Sequence, residues 1–296
     1  MLLSLIAAII HAQAEQLPAD LYHAAATDRG KDNSTVDVHY KLNIPPQYFK
    51  GAQTPTYDAV MTTLHGTNVW KDPRLPKHIK HLGITGSAEP DGSPLKHGIL
   101  HRLLWTVQPR CFLEVGVFRG STSTHVAKFM DSDPALADSF VISLDTWLHD
   151  ARFVWPAELK ESVPTYMNNN VELAGSSQMY FTFLANVLAT NTSHRIVPLQ
   201  SASTNGAMAL LAHRIRPNLM YIDASHANPD VFVDYENFFS VLAPGGVMAV
   251  DDVELVPAVR QAFEALCRRY NLTAVRKGNQ AFVKKPRSLV DKGLSV

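Results

Sequence analysis

The sequence contains little cysteine, no excess charge of either sign and only one long apolar run, and each shortage excludes a class of protein. Two cysteines, Cys111 and Cys267, allow at most one disulfide bond, which excludes a disulfide-rich scaffold and a cysteine-rich zinc module. Lys plus Arg and Asp plus Glu both number 27, whereas proteins that bind nucleic acid electrostatically carry a basic excess. The 296 residues suffice for one large domain or two small ones.

The apolar run lies at the start of the chain. Met1–Ile10 is too short for a transmembrane helix, which needs about 20 apolar residues. Ala12-Gln13-Ala14 follows with the small residues of a cleavage site, so we predict a signal peptide over residues 1–14. No Lys or Arg precedes the run, and an apolar N-terminal helix is the alternative. The signal predicts the secretory pathway or the extracellular space, and without it we expect a cytoplasmic protein.

The distribution of proline divides the rest of the chain. Prolines break the pattern repeatedly in residues 15–95 and long apolar periodicity is absent, so we predict an irregular N-terminal extension with short helices there. Strand-like and helix-like segments alternate from residue 96 to residue 285, which predicts one folded domain followed by a tail over residues 286–296. A helix begins this domain, since apolar residues recur at helical spacing up to Val107 and Pro109 then ends the pattern.

Five short apolar runs in this domain have the length of buried strands, and they alternate with helix-like segments. The alternation predicts an α/β fold whose mostly parallel sheet is covered by helices on both faces. A turn signal at Lys277-Gly278-Asn279 adds a closing antiparallel hairpin. The predicted strands are 111–115, 140–144, 196–199, 219–222, 247–250, 272–276 and 280–283, and the predicted helices are 122–130, 179–188, 205–215, 231–242 and 256–270.

Acidic and small polar residues follow nearly every predicted strand. Ligands of open α/β sheets bind beyond the carboxyl ends of the strands, so these residues are candidates for a binding site. Asp and Gly are also common turn residues, and a single acid there can serve only as a cap. Acids end four of the five parallel strands in a sequence with only 18% charged residues, which favours a shared site. The candidates are Glu114, Gly116, Gly120, Asp145, Ser201, Asp223, Asp251 and Asp252.

The loop after the first strand distinguishes between ligand classes. Its glycines, Gly116 and Gly120, do not form the G-x-G-x-x-G pattern of dinucleotide sites, because position 118 is Phe. The loop also lacks the Gly-Lys-Ser/Thr of a triphosphate site. A glycine turn that follows an acid suits a ligand with an ammonium group and no phosphate, such as S-adenosylmethionine.

The segment Glu114-Val-Gly-Val-Phe-Arg-Gly120 resembles the first motif of class I S-adenosylmethionine-dependent methyltransferases. The resemblance extends over about residues 96–285, and within the family the chain looks like small-molecule O-methyltransferases of the catechol, macrocin and family-24 types. It implies a Rossmann-like, doubly wound, seven-stranded sheet and S-adenosylmethionine as the methyl donor, with Asp145 holding its ribose hydroxyls. The other segments that carry the resemblance are Asp145–Trp147, Tyr180–Val187, Arg195–Leu199, Tyr221–His226 and Leu242–Val247. The donor-binding residues that it implies are Glu114, Gly116, Gly120, Ser121, Asp145 and Ser201.

The acids Asp223, Asp251 and Asp252 resemble those that bind a divalent cation in the catechol and macrocin enzymes. Asp251 follows Asp223 by 28 residues, the length of one helix and two turns, so their strands are expected to be neighbours about 4.8 Å apart. Three carboxylates without cysteine favour Mg²⁺. The alternative is that Asp252 caps the next helix and Asp223 orients a loop without a cation.

The resemblance places a general base at His226, and an imidazole pKa near 6.5 suits the deprotonation of a hydroxyl group at neutral pH. Loop packing is the alternative role for this histidine. We therefore predict metal-assisted O-methylation of a small hydroxylated acceptor, in which Asp223 and His226 are catalytic. The alternatives are a metal-dependent hydroxylase on the same fold and a non-catalytic secreted binding domain. The sequence leaves the acceptor and a homo-oligomeric state open.

Overall fold

The computed structural model describes residues 55–77, 99–148, 172–173 and 176–287. The predicted signal peptide at 1–14, most of the extension at 15–95 and nearly all of the tail at 286–296 lie outside the described residues. Within the described part of the chain, no helix combines the length and the apolar character that crossing a bilayer requires.

Seven strands form the main sheet, which confirms the predicted fold class. Five central strands run parallel, and the C-terminal hairpin pairs antiparallel to the last of them. The strands are β1 (Cys111–Val115), β2 (Phe140–Asp145), β3 (Glu172–Leu173), β4 (Ser176–Ser177), β5 (Ile196–Gln200), β6 (Leu219–Ile222), β7 (Val247–Val250), β8 (Val275–Lys277) and β9 (Gln280–Lys284). Their order in the sheet is β5-β2-β1-β6-β7-β9-β8, and β3 pairs separately with β4.

The helices lie where apolar residues recur at helical spacing. They are α1 (Tyr57–His65), α2 (Ile99–Val107), α3 (Ser121–Ser132), α4 (Met179–Ala189), α5 (Ser203–Ala212), α6 (Asp230–Val241) and α7 (Pro257–Tyr270). Helix α5 ends before the predicted boundary at residue 215, because Arg214 adopts a left-handed conformation with φ of 56°. That conformation breaks the helical repeat, and Ile215 turns back so that its N–H donates to the carbonyl of Leu210.

The strands β1, β2, β6 and β7 are mostly apolar because both faces of the sheet are covered. All five residues of β1 are buried. Successive side chains point to opposite faces, so Leu113 and Val115 join one hydrophobic core and Phe112 joins the other. This double burial leaves few polar side chains within the strands, chiefly Glu114 and Ser143, which both contact the Ser123 hydroxyl. The other candidate acids lie at or just beyond the carboxyl ends of the strands, where the candidate site is.

Helix α1 lies within the predicted N-terminal extension and covers the β5 edge of the sheet. Its Val60 and Met61 are fully buried in one of the two cores. At the end of the helix, a ring nitrogen of His65 lies 2.7 Å from the carbonyl of Pro198. Beyond the helix, the Trp70 indole N–H donates to the carbonyl of Ile196 at 2.7 Å. These contacts satisfy the outer edge of β5, which would otherwise be open to pairing with another chain.

Candidate active site

The loop of residues 116–120, here called the glycine loop, connects β1 to α3 in direct contact with β6. Gly116 and Gly120 both have left-handed backbones, with φ of 84° and 88°. A Cβ atom on Gly116 would collide with the backbone carbonyl of Asp223. A Cβ atom on Gly120 would lie 2.7 Å from the Phe183 ring. Glycine is therefore required at both positions by conformation and by space.

Asp145 holds the glycine loop in place. One of its carboxylate oxygens accepts hydrogen bonds from the N–H groups of Val117 and Phe118 at 2.7 and 2.9 Å. The other oxygen accepts from the N–H of Trp147 at 2.8 Å, and the Trp147 indole donates to the carbonyl of Phe118 at 2.8 Å. The carboxylate thus supports the loop through contacts within the protein, and the ribose role inferred from the sequence stays a prediction.

The remaining predicted donor-binding residues surround this loop. Glu114 is 2% exposed and accepts a hydrogen bond from the Ser123 hydroxyl on α3. Burial raises the pKa of Glu114 to about 8. Ser121 is buried at the first position of α3, and the N–H of Ser201 donates to the carbonyl of Asp145 at 2.9 Å. The fold therefore gathers the predicted donor-binding residues at the carboxyl ends of β1, β2 and β5.

Asp223, His226 and Asp252 form what is here called the Asp–His cluster, beyond the ends of β6 and β7. One ligand atom from each residue lies within 4.8 Å of the others. Nε2 of His226 is 2.7 Å from Oδ2 of Asp252 and 3.8 Å from Oδ1 of Asp223. The three side chains are 27–38% exposed, so a ligand can reach them. The protein atoms packed around the Asp223 carboxyl and the charge of Asp251 raise the pKa of Asp223, although 38% of its side chain is exposed. The hydrogen bond with His226 lowers the pKa of Asp252.

Asp251 lines the same pocket as Asp223 and His226, but its carboxylate already has protein partners. The Tyr221 hydroxyl donates to Oδ2 of Asp251 at 2.6 Å, and the N–H of Asp252 donates to Oδ1 at 2.9 Å. The structure thus brings together all three predicted metal ligands, and it groups His226 rather than Asp251 with the other two. The predicted ligand set itself remains a prediction.

Two residues of the C-terminal hairpin contact this region, and the sequence analysis did not assign them to it. The Asn279 amide donates to Oδ1 of Asp252, and the Gln280 amide donates to the Tyr221 hydroxyl at 2.9 Å. Only the turn signal at residues 277–279 pointed to this hairpin. Its place beside the site follows from the antiparallel register of β9 on β7, which pairs Ala281 with Val250.

Solved O-methyltransferase structures are similar to this chain at low sequence identity. One is an O-methyltransferase from Bacillus cereus in complex with SAH, with 16% identity, a TM-score of 0.44, and coverage of 81% of this chain and 96% of that one. Another is TomG from Streptomyces achromogenes, involved in tomaymycin synthesis and in complex with SAM, with 16% identity, a TM-score of 0.44, and coverage of 76% and 98%. The sheet order itself, rather than these alignments, defines the fold.

The sequence comparisons locate the resemblance on the part of the chain that carries the site. No curated protein sequence matches the chain significantly. A family model described as a methyltransferase domain matches residues 113–253, slightly less than half of the chain. The match begins within β1 and ends just after Asp252, so it includes the glycine loop, Asp145 and the Asp–His cluster. Over residues 113–253, the chain is similar to the methyltransferase domain family, and the resemblance indicated by the motifs is confirmed there.

Proposed function

We propose that this protein transfers a methyl group from S-adenosylmethionine to a hydroxyl oxygen of a small acceptor, with the help of a divalent cation. One observation carries the proposal: Gly116 packs directly against the carbonyl of Asp223. The glycine loop, expected to bind the donor, therefore adjoins the Asp–His cluster, expected to bind the acceptor. Methyl transfer needs donor carbon and acceptor oxygen about 3 Å apart and in line, and this adjacency supports such an arrangement.

The chain contributes mainly binding and orientation. Glu114, Gly116, Gly120, Ser121, Asp145 and Ser201 would surround the donor. Asp145 has a specific part in this arrangement, because its bonds to the N–H groups of Val117 and Phe118 restrain the loop conformation. A loop restrained by the protein's own hydrogen bonds has less conformational freedom to lose on binding, which favours affinity for the donor.

The residues of the Asp–His cluster fit a divalent cation. Two carboxylates and one imidazole offer oxygen and nitrogen ligands, which suit Mn²⁺, Fe²⁺ or Zn²⁺, whereas Mg²⁺ prefers oxygen alone. A divalent cation bound there would lower the pKa of an acceptor hydroxyl that it coordinates. His226 can serve as a ligand or take the hydroxyl proton, and its Nε2 atom cannot do both at once. The proximity of Nε2 to both Asp223 and Asp252 supports the ligand role. The proton of the acceptor hydroxyl would then pass to solvent, which reaches the 27–38% exposed side chains of the cluster.

The two alternative functions have less support. Non-haem iron oxygenases use two histidines and one carboxylate, whereas the Asp–His cluster has one histidine and two carboxylates, which favours methyl transfer over the hydroxylase alternative. The alternative of a secreted binding domain requires the predicted signal peptide at residues 1–14, which lies outside the described residues.

Calorimetry on the full chain with S-adenosylhomocysteine, with and without EDTA, tests the proposal. We expect S-adenosylhomocysteine to bind in both conditions, because the glycine loop and not the Asp–His cluster holds it. Methyl transfer from radiolabelled S-adenosylmethionine to a panel of small phenols and catechols should stop in EDTA and return with Mn²⁺, and to a smaller extent with Mg²⁺, because the cluster includes an imidazole. A protein with no affinity for S-adenosylhomocysteine would favour the alternative of a non-catalytic binding domain. Methyl transfer that continues unchanged in EDTA would contradict the proposed role of a divalent cation.

A further inference from the structure

The C-terminal hairpin contacts both acids that follow β7, and it does so through different atoms. The Asn279 amide donates to Oδ1 of Asp252. The Gln280 amide donates to the Tyr221 hydroxyl at 2.9 Å, and that hydroxyl donates to Oδ2 of Asp251 at 2.6 Å. Two consecutive hairpin residues therefore support two consecutive carboxylates.

The two carboxylates consequently have different surroundings. Asp251 is hydrogen-bonded to Tyr221, which is 2% exposed, and Gln280 behind it is 4% exposed. The side chain of Asp252 is 27% exposed and lies 2.7 Å from Nε2 of His226. Asp252 itself has φ of 59°, a left-handed conformation that aspartate tolerates better than most residues other than glycine. In this conformation its carboxylate lies beside His226, and the Asn279 amide donates to it.

Asn279 also supports the backbone that follows Asp252. Its side-chain oxygen accepts hydrogen bonds from the N–H groups of Glu254 and Leu255 at 3.2 and 3.1 Å. In addition, the N–H of Val253 donates to the backbone carbonyl of Asn279 at 3.0 Å. A single hairpin residue thus holds both the carboxylate of Asp252 and the turn on which it stands.

We propose that Tyr221 and Asn279 are positioning residues of the Asp–His cluster. With Gln280, they hold Asp251 against the sheet and direct Asp252 toward His226 and Asp223. This inference rests on the proposed function, since it assumes that the cluster binds a divalent cation. Residues that orient metal ligands through hydrogen bonds typically change metal affinity about 10–100-fold when they are replaced.

The test measures Mn²⁺ binding to the full chain by electron paramagnetic resonance, together with thermal unfolding and calorimetry with S-adenosylhomocysteine. Tyr221→Phe and Asn279→Ala should each weaken Mn²⁺ binding at least about tenfold while the affinity for S-adenosylhomocysteine stays unchanged. Tyr270→Phe is the matched control, because it removes a tyrosine hydroxyl that donates to the carboxylate of Glu236 at 2.9 Å, outside the pocket. It should bind Mn²⁺ like the wild type.

The possible results separate the two proposals. If the folded Tyr221→Phe and Asn279→Ala proteins bind Mn²⁺ with the affinity of the wild type, the positioning role is wrong. The proposed cation site is unaffected by that result. A wild-type protein that binds no Mn²⁺ would overturn both the cation site and the positioning role. Asn279 is a partly exposed turn residue, so its variant decides the question if Tyr221→Phe does not fold. An equal loss of Mn²⁺ affinity in Tyr270→Phe would also contradict the positioning role, because the effect would not be specific to the Asp–His cluster.

Discussion

The backbone carbonyl of Asp223 occupies the space that a side chain on Gly116 would need. This contact joins the end of β6, where the acceptor is expected to bind, to the loop after β1, where the donor is expected to bind. It is reinforced by a hydrogen bond from the N–H of Asp223 to the carbonyl of Val115 at 2.8 Å. Any side chain at position 116 must therefore separate the two strands or distort the loop.

We expect Gly116→Ala to lower the free energy of unfolding by more than about 2 kcal/mol and to abolish binding of S-adenosylhomocysteine, as measured by urea denaturation and calorimetry. Gly66→Ala is the matched control. Gly66 also has positive φ, 72°, but a Cβ atom there meets nothing within 4 Å. Gly66→Ala should lower the free energy of unfolding by only about 1–2 kcal/mol, because a side chain disfavours the left-handed backbone. It should leave the affinity for S-adenosylhomocysteine unchanged. Equal costs in the two variants would show that the contact with Asp223 is unimportant.

A second prediction concerns the hydrogen bonds of Asp145 to the glycine loop. Asp145→Ala leaves the N–H groups of Val117 and Phe118 without their carboxylate acceptor, which should cost roughly 2–4 kcal/mol of stability. The affinity for S-adenosylhomocysteine should fall as well, because the loop loses its support. Asp251→Ala, measured in parallel, should retain that affinity and lose methyl transfer. An Asp145→Ala protein that binds S-adenosylhomocysteine like the wild type would contradict both the support of the loop and the ribose role.

Burial explains why the bounds of the parallel strands could be predicted more closely than those of the C-terminal hairpin. The predicted bounds of the first strand, 111–115, are those of β1, since a strand covered on both faces is a continuous apolar run with polar residues at its ends. Strand β8 was predicted at 272–276 and lies at Val275–Lys277. All three of its residues are exposed, so no burial pattern in the sequence marks its position.

The candidate site follows the same logic. The position of Asp223 at a strand end could be predicted, because parallel strands bring their carboxyl ends to one edge of the sheet. The contribution of Asn279 could not, since it depends on the register of β9 against β7. The division of roles between Asp251 and Asp252 was also hidden, because it depends on the left-handed backbone at Asp252 and on the hydroxyl of Tyr221.

The third prediction concerns the pH dependence of stability. Burial raises the pKa of Glu114 to about 8 from the ordinary value of 4.5, so the folded protein keeps a proton that the unfolded chain loses. The stabilisation is complete below pH 4.5 and is lost as the pH rises through about 8. The full change is on the order of 5 kcal/mol. Urea denaturation of Glu114→Gln between pH 5 and pH 8 should therefore give a shallower decline than the wild type.

The control for this measurement is Asp138→Asn, which replaces an exposed acid. Its stability should follow that of the wild type over the same pH range. A Glu114→Gln protein with the wild-type pH dependence would show that Glu114 is already ionised in the folded state. In that case, the buried carboxylate would have to be stabilised by more than its hydrogen bond from Ser123.

The last prediction separates Asp252 from Asp251 as a cation ligand. Asp252→Asn should weaken Mn²⁺ binding at least about tenfold, because it removes a carboxylate beside His226 and Asp223. Asp251→Asn should weaken it less, since an asparagine there retains an oxygen that can accept from the Tyr221 hydroxyl and keep the turn in place. Electron paramagnetic resonance titrations of both variants give the comparison. Equal losses of Mn²⁺ affinity in the two variants would favour the ligand set Asp223, Asp251 and Asp252. His226 would then be available as the proton acceptor.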